Sequence, residues 1–304
     1  MTNPNTARRI QVIEVGPRDG LQNEKALVPT DTKIELIDRL IEAGAQRIEA
    51  TSFVHPRLVP QMADAEQVGA ALRRDAGVRY SCLVLNDRGL DRALAVGFDE
   101  VNVVVVCSET FGRRNQGAGI QDMVATAGRI TDRAARAGVA VTITLAAAFG
   151  CPFEGEVPLQ RVHDIVSQIA QFGPDELAIA DTIGVGVPSQ VRALGDVAAQ
   201  ACAGVPLRWH FHNTRNTGYA NVQAAVDAGP AAIDASVGGI GGCPFAPAAT
   251  GNVATEDVGY LLHRQGLDTG LDLAALTDIS RWLSEPLGAA TPALVGRAGL
   301  FPPA

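Results

Sequence analysis

Lysine is almost missing from this chain: among 304 residues it occurs only at Lys25 and Lys33, and arginine carries nearly all of the positive charge. A mechanism that needs a buried lysine amine to form a Schiff base with a carbonyl substrate has little to draw on. Positive charge as a whole is also in deficit, with a formal net charge of −8 and an isoelectric point near 5.1. That balance argues against nucleic acid or an anionic membrane surface as a partner, because both call for a basic face. A small-molecule substrate is expected.

The five cysteines (Cys82, Cys107, Cys151, Cys202, Cys243) are scattered, odd in number and form no CxxC pair. Neither a disulfide framework nor a structural zinc site follows, and a reducing cytoplasm is the expected location. No run of about 18 apolar residues free of charge occurs, and Met1 to Arg9 holds no apolar stretch, so neither a membrane span nor secretion is expected. There is no sequence repeat and no Pro/Ser/Gly-rich linker. With 47% hydrophobic residues the content is ample for one core, and a single catalytic domain over residues 1–304 is expected.

What is present is a regular alternation. Short β-rich runs stand near Ile10–Val15, Arg47–Thr51, Arg79–Leu85, Glu100–Cys107, Val139–Leu145, Glu176–Ala180, Leu207–His212 and Ala232–Ser236. Between them lie stretches with apolar residues at helical spacing, among them Asp31–Ala43, Met62–Arg74, Ile120–Ala137, Leu159–Phe172, Ser189–Cys202 and Thr217–Ala228. Strand and helix in alternation predict a parallel sheet. Eight such units in about 250 residues match the closed (β/α)8 TIM barrel. An open doubly wound sheet is the alternative, but no GxGxxG follows the first strand. The barrel is expected over about 10–266, with a short C-terminal helical extension over about 267–304 that includes Leu271–Leu287.

In such a barrel chemistry gathers at the C-terminal ends of the strands and in the loops that follow. The unusual polar residues map there: Arg18 and Asp19 after the first strand, Glu49 and Ser52 ending the second, Asp181 and Thr182 ending the sixth, His210 and His212 ending the seventh, Asn252 after the eighth. Each has a plain alternative: a surface turn for Arg18-Asp19, an arginine partner for Glu49, a helix cap for Asp181. The pair His210-Phe211-His212 carries more weight, because one intervening residue on a strand points both imidazoles to the same face, where a shared cation satisfies both. With Asp19 and the Asn252 amide oxygen the donors are nitrogen and oxygen without thiolate, which suits Mg2+ or Mn2+ with water better than zinc. Two-metal hydrolases that use an HxH pair usually add a bridging lysine, and no strand here ends in one. Cys243, in the glycine-rich run Gly238 to Pro244, reads either as a small apolar filler or as a proton donor or acceptor on a mobile loop.

Several long motifs stand in order: VGPRDGLQNEK (Val15 to Lys25), IEATSFVHPRLVPQMAD (Ile48 to Asp64), GCPFEG (Gly150 to Gly155), ADTIGVG (Ala180 to Gly186), HFH (His210 to His212) and GGIGGCPFAPAATGNVATED (Gly238 to Asp257). On these the chain resembles the 3-hydroxy-3-methylglutaryl-CoA lyase family, among the metal-dependent lyase and synthase barrels with an R-D-G-x-Q signature, over nearly its whole length. The resemblance implies that Asp19, His210, His212 and Asn252 hold a divalent cation, that Arg18 faces the substrate thioester or its enolate, that Cys243 lies on a catalytic lid, and that Glu49 belongs to the surrounding polar shell. It further implies a retro-Claisen cleavage of an acyl-CoA to acetyl-CoA and a keto acid, a place in leucine catabolism, and a homo-oligomer, with a dimer favoured. Asp19, His210 and Asp181 all remain candidates for the base that removes the hydroxyl proton.

The sequence departs from the family pattern after the histidines. His210 to Asn221 reads HFHNTRNTGYAN where the family commonly has aspartate and then Thr-Tyr-Gly, so Asn213, Arg215 and Asn216 are unusual. Asn213 removes a negative charge beside the metal ligands. Arg215 adds a positive one at the barrel mouth, where a substrate carboxylate or a CoA phosphate is its expected partner; Arg113 and Arg114 read equally as phosphate contacts or as a solvated loop. Arg215 keeps open the same chemistry on another 3-hydroxy-3-substituted acyl-CoA, such as citramalyl-CoA. A Claisen-condensing synthase is a further alternative, though a C-terminal regulatory extension is expected of those. A non-catalytic sensor of metal and acyl-CoA is disfavoured by the intact set of Arg18, Asp19 and Cys243.

Overall fold

The computed structural model describes residues 8–229, 232–242 and 251–301. Eight parallel strands close on themselves: β1 (Gln11–Glu14), β2 (Arg47–Ser52), β3 (Arg79–Val84), β4 (Glu100–Val106), β5 (Ala140–Ala146), β6 (Glu176–Asp181), β7 (Leu207–Phe211) and β8 (Ala232–Ala235). Each pairs with its sequence neighbours, and β1 pairs with β8 to seal the ring. The helix following each strand lies outside: α1 (Thr30–Glu42), α2 (Ala65–Ala70), α3 (Asp87–Val96), α4 (Ile120–Arg136), α5 (Leu159–Ala170), α6 (Pro188–Ala201), α7 (Gly218–Ala228) and α8 (Thr255–His263). This is the predicted (β/α)8 barrel, with every strand within two residues of its expected bounds.

One expected helix is much shorter. Met62–Arg74 resolves into a 3-10 turn at Pro60–Met62, the six-residue α2, and a second 3-10 turn at Arg74–Ala76. Side chains have taken the carbonyls a continuous helix needs: Arg74 Nη2 donates to Gly69 O at 3.3 Å and the Tyr80 hydroxyl to Arg73 O at 3.0 Å. Beyond α8 a helix at Leu273–Leu287, where a helical tail was expected, packs on α1, with Arg39 over the Trp282 ring at 4.6 Å. No helix among the described residues is long and apolar enough to cross a membrane.

The aliphatic core lies mainly between barrel and helices, whereas much of the barrel interior is ionic. Arg47, Glu100 and Glu176 open the alternate strands β2, β4 and β6 and form one interior layer, as alternation around a closed barrel requires. Arg47 donates to Glu100 at 2.5 Å and to Glu176 at 2.6 Å, all three being buried. Two residues further along, the same face of the even strands carries Glu49, Asn102 and Asp234. That layer is the floor of the site.

Candidate active site

β1 runs directly into one turn of π-helix, Gly16–Gly20, which lifts Arg18 and Asp19 over the barrel mouth. Pro17 suits the start of that turn because its missing N–H has no partner to lose. Gly20 is required by proximity: a Cβ there would lie 2.6 Å from Ser236 Oγ and 2.8 Å from Ile240 Cγ1. The turn is thereby held against the loop that follows β8.

Arg18 is locked from two sides. Its Nε donates to Glu49 Oε2 at 2.6 Å, its Nη2 lies 2.5 Å from the same oxygen as an ion pair, and its Nη1 donates to Asp19 Oδ1 at 2.6 Å. Glu49 has no exposure to solvent, and its other oxygen accepts from Asn102 Nδ2 at 2.9 Å. Asn102 in turn accepts from Thr144 Oγ1 at 2.7 Å. A register shift in β2 between Glu49 and Thr51 sets the strand end that places Glu49 beneath Arg18.

His210 stands one residue before the end of β7, with Ala180 of β6 and Asp234 of β8 as its register partners. Its Nδ1 lies 3.0 Å from Asp234 Oδ2. A carboxylate oxygen only accepts, so Nδ1 carries a proton, and in the neutral imidazole Nε2 turns a lone pair to the mouth. There it meets His212 Nε2 at 3.1 Å and Asp19 Oδ2 at 3.8 Å. Asp19, His210 and His212 each offer a ligand atom within 4.8 Å of the others. Asn252, bridged to His212 by backbone pairing, donates Nδ2 to Asp19 Oδ2 at 2.9 Å, while its Oδ1 is buried without a partner.

The electrostatics single out the same group. Burial alone would raise the Asp19 carboxyl, but Arg18, the two histidines and the Asn252 amide hold it well below the usual carboxylate range. Burial also disfavours charge on His210, yet the hydrogen bond to Asp234 and the charge of Asp19 outweigh it and raise this imidazole. Burial and then the neighbouring His210 push His212 down to about 3. Two facing imidazole nitrogens, an ionised carboxylate and an orphaned amide oxygen are the donors a divalent cation takes, so the residues present fit one.

The remaining expected residues are distributed around this cluster. Asp181, wholly buried at the end of β6, uses its two oxygens to accept from Val185 N (2.9 Å) and Gly186 N (2.8 Å), which shapes the β6–α6 loop. Burial raises its carboxyl in spite of those bonds. Thr182 Oγ1 accepts from Ala147 N, and Ser52 donates to Gln22. Arg215 is exposed at the rim, and its Nη1 donates to the carbonyls of Ile183 (3.1 Å) and Gly184 (3.0 Å), tying two loops together. Asn213 accepts from Gly218 N at 3.1 Å, stabilising the start of α7. Arg113 pairs with Glu109 at 2.6 Å, and Arg114 stacks on Phe153 at 4.1 Å. Cys243 lies outside the described residues.

Sequence reasoning passed over Asp234, Asn102 and Arg208. A signal existed for the first two, an acidic residue inside the apolar strand AIDA and an amide inside EVNVVVV.

A family model described as HMGL-like matches residues 9–283. The (R)-citramalyl-CoA lyase of Chloroflexus aurantiacus is 43% identical over 300 residues, covering 95% of both chains. The hydroxymethylglutaryl-CoA lyase of Bacillus subtilis is 37% identical over 285 residues, covering 94% of this chain and 95% of that one. Among solved structures, an HMG-CoA lyase from Acinetobacter baumannii in complex with coenzyme A and 3-methylmalate superposes with a TM-score of 0.92 at 38% identity, covering 97% of this chain and 96% of that one.

Proposed function

Because the chain belongs to the HMGL-like family, that of the hydroxymethylglutaryl-CoA lyases, we propose that it cleaves 3-hydroxy-3-methylglutaryl-CoA to acetyl-CoA and acetoacetate in a divalent-metal-dependent reaction. It is a carbon–carbon lyase, and its substrate is a 3-hydroxy-3-substituted acyl-CoA. The observation that carries the reading is the convergence of Asp19, His210 and His212 within 4.8 Å, beside the orphaned amide oxygen of Asn252 and the clamped Arg18.

In this reading Asp19, His210, His212 and Asn252 hold the cation. When bound, Mg2+ or Mn2+ supplies Lewis acidity that makes the tertiary hydroxyl of the substrate more acidic. Arg18, fixed by Glu49, offers its guanidinium to the thioester oxygen, where negative charge grows as the C2–C3 bond breaks and its electron pair moves to C2. The hydroxyl proton goes to a base, the hydroxyl carbon becomes a ketone, and C2 takes up a proton to give acetyl-CoA. Of the candidate bases, Asp19 has its carboxyl held low by its neighbours, whereas burial raises that of Asp181. Cys243 is the proposed donor to C2, and Arg215 the proposed contact for a substrate carboxylate or a CoA phosphate.

A second reading is the same chemistry on citramalyl-CoA, supported by the 43% identity to a lyase of that name. The two substrates differ in whether a methylene separates the carboxylate from the hydroxyl carbon. Incubating purified protein and Mg2+ or Mn2+ with each thioester separates them: acetoacetate is the expected keto product from the first, and pyruvate from the second. Release of acetyl-CoA from neither contradicts both readings.

A further inference from the structure

A second buried arginine of the barrel interior, Arg208, faces the ionic floor but makes no hydrogen bond to it. Arg208 precedes His210 by two residues on β7, so both side chains point into the barrel. It has no exposure to solvent. Its Nε donates to Asp234 Oδ1, while its Nη1 and Nη2 have no hydrogen-bond partner. The nearest other carboxylates, Glu176 at 3.8 Å and Glu100 at 3.9 Å, are beyond hydrogen-bond reach and are already engaged by Arg47. Arg208 therefore directs its one hydrogen bond upward, to the carboxylate whose second oxygen stands 3.0 Å from His210 Nδ1. A guanidinium, a carboxylate and an imidazole form a three-member chain across two adjacent strands.

We propose that Asp234 and Arg208 are positioning residues that present His210 Nε2, as a bare lone pair, to the cation held by Asp19, His210, His212 and Asn252; this rests on the cation reading given above. With both ends of the Asp234 carboxylate occupied, it has one orientation, and His210 has one tautomer and one ring rotation. Without it, the imidazole is free to carry its proton on Nε2 and aim an N–H at the position a cation needs. Partners of this kind behind a ligating histidine typically contribute about 10–100-fold in metal affinity.

The test is the Kd of metal-stripped protein for Mn2+, read without substrate from the electron paramagnetic resonance signal of free Mn2+, together with thermal melting. Asp234→Asn is expected to weaken Mn2+ binding about 10–100-fold and to lower the melting temperature, because it strands a buried guanidinium. The double variant Arg208→Met/Asp234→Asn removes that stranded charge and is expected to recover melting while binding Mn2+ as poorly as Asp234→Asn. This pattern separates positioning from stability, and the double variant supplies the answer if the single one does not fold. Wild-type uptake that is lost in His212→Ala but retained in the double variant overturns the proposal alone. Wild-type protein that takes up no Mn2+, or no more than His212→Ala, overturns the cation reading and the proposal with it.

Discussion

Glu49, without solvent exposure on the second strand, closes on the Arg18 guanidinium through a single carboxylate oxygen, which accepts from Nε at 2.6 Å and pairs with Nη2 at 2.5 Å. The other oxygen is held by Asn102. An arginine restrained in this way needs no reorganisation when charge develops beside it, which is the condition for large electrostatic stabilisation of a transition state.

Arg18→Met should therefore retain Mn2+ affinity and lose about 10²–10³-fold in kcat. Steady-state kinetics at saturating metal check this. A kcat near wild type removes Arg18 from the chemistry.

Asn102→Ala leaves Glu49 Oε1 buried without a donor. The expected loss of stability is about 1–3 kcal/mol, the desolvation cost of an unpaired acceptor, measured by denaturant unfolding. Loss of kcat should accompany it, smaller than that of Arg18→Met, because Glu49 then fixes the guanidinium less tightly.

Glu14 gives a pH dependence of stability. Burial, reinforced by neighbouring Glu256, pushes its carboxyl up to about 7 despite hydrogen bonds from Thr255, Val237 and Gly16. A group raised in the folded state favours folding fully below its unfolded value of about 4.5, and that contribution is lost as pH climbs through about 7. Thermal melting of the wild type should fall between pH 5 and 8. Glu14→Gln, which keeps one acceptor oxygen and is never ionised, should show a shallower fall and melt higher than wild type at pH 8. Parallel curves for the two proteins contradict this.

Gly20→Ala places a methyl 2.6 Å from Ser236 Oγ and 2.8 Å from Ile240, both buried. Overpacking of this kind costs about 1–3 kcal/mol, and because Asp19 is the adjacent residue, Mn2+ affinity should fall with stability. A melt and a Mn2+ titration on the same preparation report both.

The fold was legible because β-branched runs such as VNVVVV and amphipathic stretches such as Ile120–Arg136 alternate without interruption. The rim residues were legible because loops after strands concentrate polarity in a way that packing does not require. Asp234, Arg208 and Asn102 were not. Period-two alternation and the strand count say which residues share a face and that the sheet closes, but not which partners a buried charge in the barrel interior meets, and such a charge must find one to offset desolvation. Helix α2 was overextended for a related reason: the Arg74 and Tyr80 bonds that terminate it come from residues whose reach is set in three dimensions. Arg215 and Asn213, unusual in the sequence, turn out to brace loops through backbone carbonyls and an N–H.

Carbon–carbon cleavage by this enzyme is expected to depend on a cation held by Asp19, His210, His212 and Asn252. The most direct test is acetyl-CoA release from 3-hydroxy-3-methylglutaryl-CoA and from citramalyl-CoA by EDTA-stripped protein, titrated with Mg2+ or Mn2+, for wild type and His212→Ala side by side. The account predicts no turnover in stripped wild type, saturable recovery with metal on at least one substrate, and no recovery in His212→Ala. Full turnover by the stripped protein, or equal recovery in the variant, would contradict it.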